Sequence, residues 1–338
     1  MPRISRSTAL AALAAVSLAF ASSAQAQFFK DPELEAIHVG QRFSELEKTG
    51  TARVAARADD AQAVLALAIV AMRGGPGVDD ATRRKSSIGH SEACLQRQPD
   101  AAACHYALGI VLGVQAISEG MLKAAASAGR VKDSLTQAML LDARWYPARS
   151  ALIEFYLVAP AMLGGSTSKA RELARAAPSA EQVRALEARL PIDDDKFEAA
   201  LQALAQVRPG SDTALAEDVA GWIYAAGIGL INAGQAERSG AAFERVVRER
   251  PDDPSGLWGL ARVNAESGAH AEAVKLFGRV SALSGGERFP VDYRSGISLQ
   301  ALGQKELARA AFGRFIKAGK GSGKALDDAR ARLSTLSS

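Results

Sequence analysis

The chain has 338 residues, of which 48% are hydrophobic and 23% are charged, and its formal net charge is +4. A chain of this length and apolar content can bury a large core, which excludes wholesale disorder. The 41 Lys and Arg residues barely exceed the 37 Asp and Glu residues, so composition does not indicate a nucleic-acid-binding protein, which concentrates basic residues on one face.

The first 26 residues have the three parts of a secretory signal peptide. Arg3 and Arg6 form a positive n-region, Thr8–Phe20 is an apolar run, and Ala24–Ala26 is an A-x-A cleavage site. The apolar run is shorter than the roughly 20 residues that span a bilayer. We predict cleavage after this site and a mature chain that starts at Gln27. That chain is expected in the periplasm or secreted, with no membrane span.

The mature chain is divided into three parts by its patterns. Residues 27–57 are predicted to form an N-terminal capping region with one helix at 32–48. Residues 58–320 are predicted to be a domain of helical repeats. The Gly-rich stretch at 319–323 predicts a flexible break, so residues 321–338 are expected to be a tail or a short helix.

Cys94 and Cys104 are the two cysteines of the chain. Pro99 lies midway between them and predicts a turn between two helices. Antiparallel helices that leave this turn would place the two thiols opposite each other. An even pair of cysteines in an exported protein therefore predicts a disulfide.

Helical hairpins are predicted along the middle of the chain. The first occupies residues 58–98 and turns at Gly74–Gly77. The second is longer, at 99–143, and the third, at 147–177, turns at Gly164-Gly165. A fourth is predicted from helices at 179–190 and 197–208.

Three segments near the C-terminus share one pattern, at residues 222–251, 257–280 and 292–315. Equivalent positions step by 34 and then 35 residues. Each unit has a small residue in a first helix, a turn glycine, and a phenylalanine in a second helix. Neither helix can bury its apolar face alone, so such units are expected to stack. The equivalent sets are Gly227, Ala261 and Gly296; Gly234, Gly268 and Gly303; and Phe243, Phe277 and Phe312.

This pattern resembles the tetratricopeptide repeat. Ala273–Phe277 and Ala308–Phe312 match its A-x-x-x-F part, Pro251 matches its terminal proline, and Gly227 and Gly296 match its first-helix glycine. The resemblance implies an all-α fold, a right-handed superhelical solenoid of stacked hairpins. It also implies a concave surface built from the first helices, which in this family binds an extended peptide or a partner protein.

A second resemblance covers residues 104–177. His105–Gly109, Ser134–Ala138, Glu154–Pro160 and Gly164–Ser166 are similar to a run found in exported bacterial tetratricopeptide proteins. That group implies fold and export but no reaction. The Gly-Gly hairpin is also similar to the one in periplasmic T-components of tripartite transporters, which implies a small-molecule carrier as the alternative function.

An aromatic series is the strongest candidate for partner binding. Five aromatic residues occupy one position of the first helices, three residues before the small residue. Rings at this position either line the groove, where they anchor a partner, or pack between helices as in the repeat consensus. Arg262 is four residues after Trp258 and therefore lies on the same side of its helix. The series is Tyr106, Phe155, Tyr224, Trp258 and Tyr293.

The turn at Gly164-Gly165-Ser166 has two interpretations. Its backbone N–H groups, ahead of a helix near Lys169, could hold an anion. Alternatively, the glycines permit a tight turn and Ser166 caps the helix. The second interpretation is preferred because it requires no ligand.

The motifs of catalysis and metal binding are missing from the sequence. It contains no G-x-S-x-G, H-E-x-x-H or C-x-x-C pattern. We therefore predict a non-catalytic periplasmic scaffold, without cofactor or metal, that binds a protein or peptide of the cell envelope in its concave groove. Neither nucleic acid nor a membrane is an expected partner, and the sequence does not predict an oligomeric state.

Overall fold

The computed structural model describes residues 27–73, 78–319 and 323–337, which form seventeen α-helices and no strand. The predicted all-α class is confirmed. The predicted signal peptide, the turn at Gly74–Gly77 and most of the Gly-rich break lie outside the described residues. The helices are α1 (Pro32–Val39), α2 (Phe43–Ala56), α3 (Ala61–Arg73), α4 (Asp80–Arg97), α5 (Ala102–Glu119), α6 (Met121–Leu141), α7 (Tyr146–Val158), α8 (Thr167–Arg175), α9 (Ala180–Arg189), α10 (Phe197–Leu204), α11 (Thr213–Asn232), α12 (Gly240–Glu249), α13 (Pro254–Glu266), α14 (His270–Ala282), α15 (Val291–Ala301), α16 (Lys305–Ala318) and α17 (Gly323–Ser337).

Helices α3 to α16 pair into seven hairpins that stack into a solenoid. The odd-numbered helices are the first helices of the hairpins, and the even-numbered ones are the second helices. The buried apolar residues form four successive clusters along the stack. This is the arrangement expected when each hairpin buries its apolar face against its neighbours.

The repeated phenylalanine joins each unit to the next. Phe243, Phe277 and Phe312 are all fully buried. A Cβ atom on Gly227 of α11 would lie 2.4 Å from Cζ of Phe243, and one on Gly259 of α13 would lie 2.2 Å from the same ring. The ring of Phe243 therefore fits between two successive first helices because both have a glycine where the ring lies.

The turn glycines of the three units share a backbone conformation. Gly234, Gly268 and Gly303 have φ angles of +74°, +81° and +71°. Residues with a Cβ rarely adopt this left-handed region. Each glycine therefore ends a first helix and reverses the chain into the next, as the 34- and 35-residue steps predicted.

The N-terminal region differs from the prediction of one helix at 32–48, which was wrong. Helix α1 ends at Val39, and α2 begins at Phe43. Between them Gln41 has a φ angle of +55°, and the N–H of Arg42 bonds back to the carbonyl oxygen of Ile37. This bend separates α1 from α2 and lets residues 27–42, the N-terminal segment, lie beside the first helices.

The disulfide and the C-terminal helix are both present. Cys94 in α4 and Cys104 in α5 are bonded and fully buried on either side of the turn at 98–101. The predicted disulfide is therefore confirmed. Beyond Gly319, α17 is a helix whose Ala329 is buried in the cluster of α15 and α16.

Among the described residues, two helices are long and apolar enough, by length and composition alone, to cross a membrane. They are Ala102–Glu119 and Thr213–Asn232, and 56% of each apolar window is buried inside the fold. Core helices of globular proteins have the same length and composition, so these properties do not distinguish a membrane span from a core helix.

Candidate functional site

The six residues predicted to bind a partner do not form one surface. Tyr106, Trp258 and Arg262 are buried, with 7%, 3% and 7% of their surface exposed. Phe155, Tyr224 and Tyr293 are half-buried. They lie in two places. Tyr106 and Phe155 line a pocket beside α5 and α7, and the other four lie on α11, α13 and α15.

Trp258 belongs to the core rather than to a groove. Its ring stacks on Phe289 at 5.0 Å and lies 5.4 Å from Phe277. Tyr293 is also committed internally, because it stacks on Phe315 at 5.1 Å and its hydroxyl donates to Asp328 Oδ2 at 2.9 Å. For Trp258, the structure decides the open question of groove or core in favour of the core.

Four arginines form a chain of neighbouring charges that passes Tyr224, and we call Arg73, Arg262, Arg288 and Arg294 the arginine surface. Tyr224 interacts electrostatically with Arg262 and Arg288. Arg262 in turn interacts with Arg294, and Arg288 with Arg73. Guanidinium groups from α3, α13, α15 and the α14–α15 loop are therefore linked electrostatically, and those of Arg262 and Arg288 interact with Tyr224.

Acidic neighbours offset part of the charge on the arginine surface, but the arginines still repel one another. Glu217 pairs with Arg73, and Asp253 and Glu287 interact with Arg288. Burial, followed by repulsion from Arg294, lowers the pKa of Arg262. Burial and the charge of Arg73 likewise lower the pKa of Arg288. Nε of Arg262 is buried without a hydrogen-bond partner among the described residues, and its contact with Glu266 is long, at 3.5 Å. A bound anion would relieve this repulsion.

The N-terminal segment borders this surface. His38 Nε2 lies 2.8 Å from Oε2 of Glu217 in α11, and Arg73 pairs with the other oxygen of the same carboxylate. Ser284, in the α14–α15 loop, donates to the carbonyl oxygen of Gln41 at 2.8 Å. The segment therefore connects the N-terminal hairpins to α11 and to the loop before α15.

The start of the N-terminal segment is held by α5 and by the residue before α7. The indole N–H of Trp145 contacts the carbonyl oxygens of Gln27 and Phe28 at 3.3 and 3.2 Å. The ring of Phe28 lies edge-on to Tyr106, with centroids 5.9 Å apart. The N-terminal segment thus contributes Phe28 to the lining of the pocket.

The pocket is a cleft of about 610 Å³ between α5, α6 and α7. Tyr106 and Phe155 line it, and so does Leu163 of the loop before Gly164. The pocket therefore lies beside the Gly-Gly hairpin, whose resemblance to T-components implied the small-molecule alternative.

One end of the pocket is polar. The hydroxyls of Tyr146 and Ser150 both donate to Oδ2 of Asp218, the former at 2.8 Å. Glu154 is paired with Arg189, whose Nε lies 2.7 Å from Oε1. Burial, with the neighbouring Glu154 and Glu217 carboxylates, raises the pKa of Asp218 to about 7.

The turn interpretation of Gly164–Ser166 is confirmed. Gly164 has a φ angle of +100°, and Oγ of Ser166 accepts the N–H of Lys169 at 3.3 Å. A Cβ atom on Gly165 would lie 1.7 Å from the carbonyl oxygen of Ala159. The glycines are therefore required by the turn itself.

A family model for the tetratricopeptide repeat matches residues 291–318, which form the hairpin of α15 and α16. The chain carries a tetratricopeptide repeat. A monomeric IFIT1 mutant with m7Gppp-AAAA has a similar structure, with a TM-score of 0.51 and 16% identity over 82% of this chain and 62% of that one. At this identity the likeness shows the fold alone.

Two bacterial structures have lower scores. Pseudomonas aeruginosa PilF has a TM-score of 0.46 and 15% identity, over 70% of this chain and 99% of that one. A tetratricopeptide repeat protein from Parabacteroides merdae has 0.41 and 16%, over 77% and 94%. No curated protein matches the chain by sequence. The tetratricopeptide fold suggests a protein-interaction scaffold.

Sequence reasoning identified one residue of the arginine surface and missed three. Arg262 follows Ala261 directly, and Arg294 lies two residues before Gly296, the equivalent of Ala261. When the two repeats are aligned, Arg262 and Arg294 are therefore three positions apart, and positions three apart share a helix face. The repeat alignment thus contained a signal for Arg294. Arg73 and Arg288 come from another hairpin and from a loop, and no local pattern connects them.

Among the described residues, no group of three or more His, Cys, Asp or Glu side chains is placed to hold a metal ion. The acidic residues with the most perturbed pKa values have protein partners. His38 and Arg73 outweigh burial and hold the pKa of Glu217 well below its usual range. The pKa of Asp218 is raised instead, which predicts a pH-dependent effect of replacing this residue.

Replacing Asp218 with Asn is expected to stabilise the protein at pH 8 and to have little effect near pH 4. The unfolded Asp218 carboxyl ionises near pH 4, whereas the folded one stays protonated until about pH 7. Folding therefore becomes less favourable as the pH rises through this range. Because the carboxyl is half-buried, we expect a gain of about 1–2 kcal/mol after allowing for solvent screening.

Thermal unfolding of both proteins between pH 4 and pH 8 measures this difference. Asp252→Asn, at an exposed position, is the control and should not alter the pH dependence. If Asp218→Asn changed the stability by the same amount at pH 4 and at pH 8, that result would contradict the raised pKa.

Proposed function

We propose that this tetratricopeptide protein is a non-catalytic scaffold, exported to the periplasm, that binds an acidic polypeptide segment of a cell-envelope protein. The binding site is the arginine surface. The observation that carries the proposal is a group of four electrostatically linked arginines, two of which interact with the half-buried Tyr224.

Electrostatics supports an acidic partner. A buried cation without a full set of acceptors costs free energy, and Nε of Arg262 lacks a partner among the described residues. Guanidinium groups form bidentate, charge-assisted hydrogen bonds with carboxylates. Glutamate or aspartate side chains of a partner would supply carboxylates to the exposed Arg288 and the half-buried Arg294, and their charge would offset that of the buried Arg262.

The N-terminal segment supports a polypeptide as the ligand. Its backbone carbonyl oxygens at Gln27, Phe28 and Gln41 accept hydrogen bonds from side chains of the solenoid. A stretch of chain is thus already held beside the first helices by contacts to its main chain. A partner segment that continues along α11 and α13 would use the same kind of contact and place its side chains against Tyr224.

The proposed location rests on two features of the chain. Residues 1–26 have the pattern of a signal peptide. Disulfides persist in oxidising compartments such as the bacterial periplasm, and Cys94 and Cys104 are bonded. Both features support export.

Arg288→Gln and Arg294→Gln are expected to weaken the binding of an acidic peptide by about tenfold each, or roughly 1.4 kcal/mol. The probe is a fluorescein-labelled peptide of alternating Glu and Ala, followed by fluorescence anisotropy at low salt. Binding should fall as salt is added, because the surface charges are screened. Arg309→Gln is the matched control, since Arg309 is exposed on α16 and pairs within its own helix.

Three outcomes would contradict the proposal. They are failure of the acidic peptide to bind at low salt, equal binding of a Lys-Ala peptide, and an equal loss in Arg309→Gln. In the cell, a photocrosslinking residue at the exposed Glu287 should capture an envelope protein through an acidic segment. The same residue at Glu306 on α16, also exposed, should not.

A further inference from the structure

The pocket lies where two neighbouring helices are longer than the pair that follows them. α5 has 18 residues and α6 has 21, whereas α7 and α8, which follow, have 13 and 9. The ends of the long pair extend beyond the next hairpin, so part of their apolar surface has no neighbour. Ile117, near the end of α5, is 72% exposed, and it lines the pocket.

Small residues on the walls provide the volume. At about 610 Å³ the pocket lies within the range of roughly 300–1,000 Å³ that is typical of small-molecule sites. Larger side chains at these wall positions would fill it. The small lining residues are Gly109, Gly113, Ala116, Ala124, Ala128 and Ala151.

The polar end selects the charge of a ligand. Of the described lining residues, Glu154 and Asp218 are acidic and none is basic. Glu154 is occupied by Arg189 and by the indole N–H of Trp222. Both hydrogen bonds described for Asp218 end on Oδ2, so Oδ1 is the acceptor that remains at this end. An anionic head group would face carboxylates here, whereas a hydrogen-bond donor would meet an acceptor.

We propose that the pocket binds a single-chain amphiphile whose head group donates a hydrogen bond to Asp218 and whose apolar chain lies between α5 and α6. Alkyl amines and alcohols belong to this class, and fatty acid anions do not. This site is distinct from the arginine surface, so it adds a small-molecule function to the proposed scaffold.

A displacement assay tests the ligand class. The probe is N-phenyl-1-naphthylamine, an apolar amine whose fluorescence increases in an apolar environment. The protein is the full mature chain. Decylamine, decanol and decanoate are the competitors, at pH 8 and below their micelle concentrations. We expect the probe to bind, the amine and the alcohol to displace it, and decanoate to be weaker by about tenfold or more.

Gly113→Leu is expected to abolish probe binding. A Cβ atom on Gly113 meets one neighbour, Val131 Cγ1 at 3.8 Å, so a leucine is tolerated and its side chain occupies the pocket. Gly129→Leu is the matched control, because Gly129 is an exposed glycine of α6 with nothing within 4 Å of its Cβ position. Both substitutions replace a mid-helix glycine, and thermal unfolding of each variant is the check that it folds.

Asp218→Asn separates recognition of the head group from filling of the pocket. Whatever its affinity for the probe, this variant should reduce the preference for decylamine over decanoate to less than about threefold. The proposal is overturned if the wild-type chain does not bind the probe. It is also overturned if Gly113→Leu binds the probe as well as Gly129→Leu does, or if decanoate competes as strongly as decylamine.

Discussion

Trp258→Ala is expected to lower the free energy of unfolding by about 3–5 kcal/mol, the range for removing a fully packed aromatic side chain. Trp258 is 3% exposed and packs between Phe277 and Phe289. Phe289 in turn contacts Tyr224, with ring centroids 6.0 Å apart. The substitution therefore leaves a cavity where α13, α14 and the following loop meet.

This expectation reverses the one drawn from sequence, in which Trp258→Ala abolishes partner capture and leaves helicity intact. Loss of capture in this variant would follow from loss of packing. Urea unfolding monitored by circular dichroism measures the change. Met162→Ala, at a position that is 85% exposed, is the control and should unfold like the wild type. A Trp258→Ala variant with unchanged stability would show that the indole is not part of the core.

Loss of the disulfide is expected to cost about 2–3 kcal/mol of unfolding free energy. Cys94 and Cys104 are separated by 10 residues, and the chain-entropy model assigns this amount to a loop of that size. The bond also ties α4 to α5, whose far end forms a wall of the pocket. Its removal is therefore expected to weaken the N-terminal half of the solenoid.

Urea unfolding with and without a thiol reductant measures this contribution. The double variant Cys94→Ala with Cys104→Ala is the control, because reductant cannot change its unfolding curve. The variant should also be less stable than the oxidised wild type, since both sulfur atoms are fully buried. Coincident curves for oxidised and reduced wild-type protein would exclude a stabilising role for the bond.

Two neighbouring residues of α11 connect the two candidate sites. Glu217 pairs with His38 and Arg73 beside the arginine surface, and Asp218 accepts from Tyr146 and Ser150 at the pocket. The pKa of Glu217 is lowered and that of Asp218 is raised. Stability from Glu217 is lost as the pH falls through its folded pKa, whereas Asp218 costs stability as the pH rises towards 7.

The C-terminal repeats were readable because their determinants are local. Gly234, Gly268 and Gly303 mark turns by their backbone freedom, and the phenylalanines recur at the same step. The N-terminal region was not readable in this way. The break at Gln41 depends on contacts of α1 with α11 and with the loop at Ser284, which are far away in sequence.

The sequence by itself determined the all-α class, the hairpin order, the repeat step and the disulfide, because each depends on periodicity or on residues close together in the chain. Tertiary structure decided which face of each first helix is buried, since a helix turns by 100° per residue and a one-residue error in phase exchanges groove for core. It also decided which distant arginines lie close to one another beside Tyr224 and that the long α5 and α6 leave a pocket. These features arise from the stacking of hairpins, which no single segment encodes.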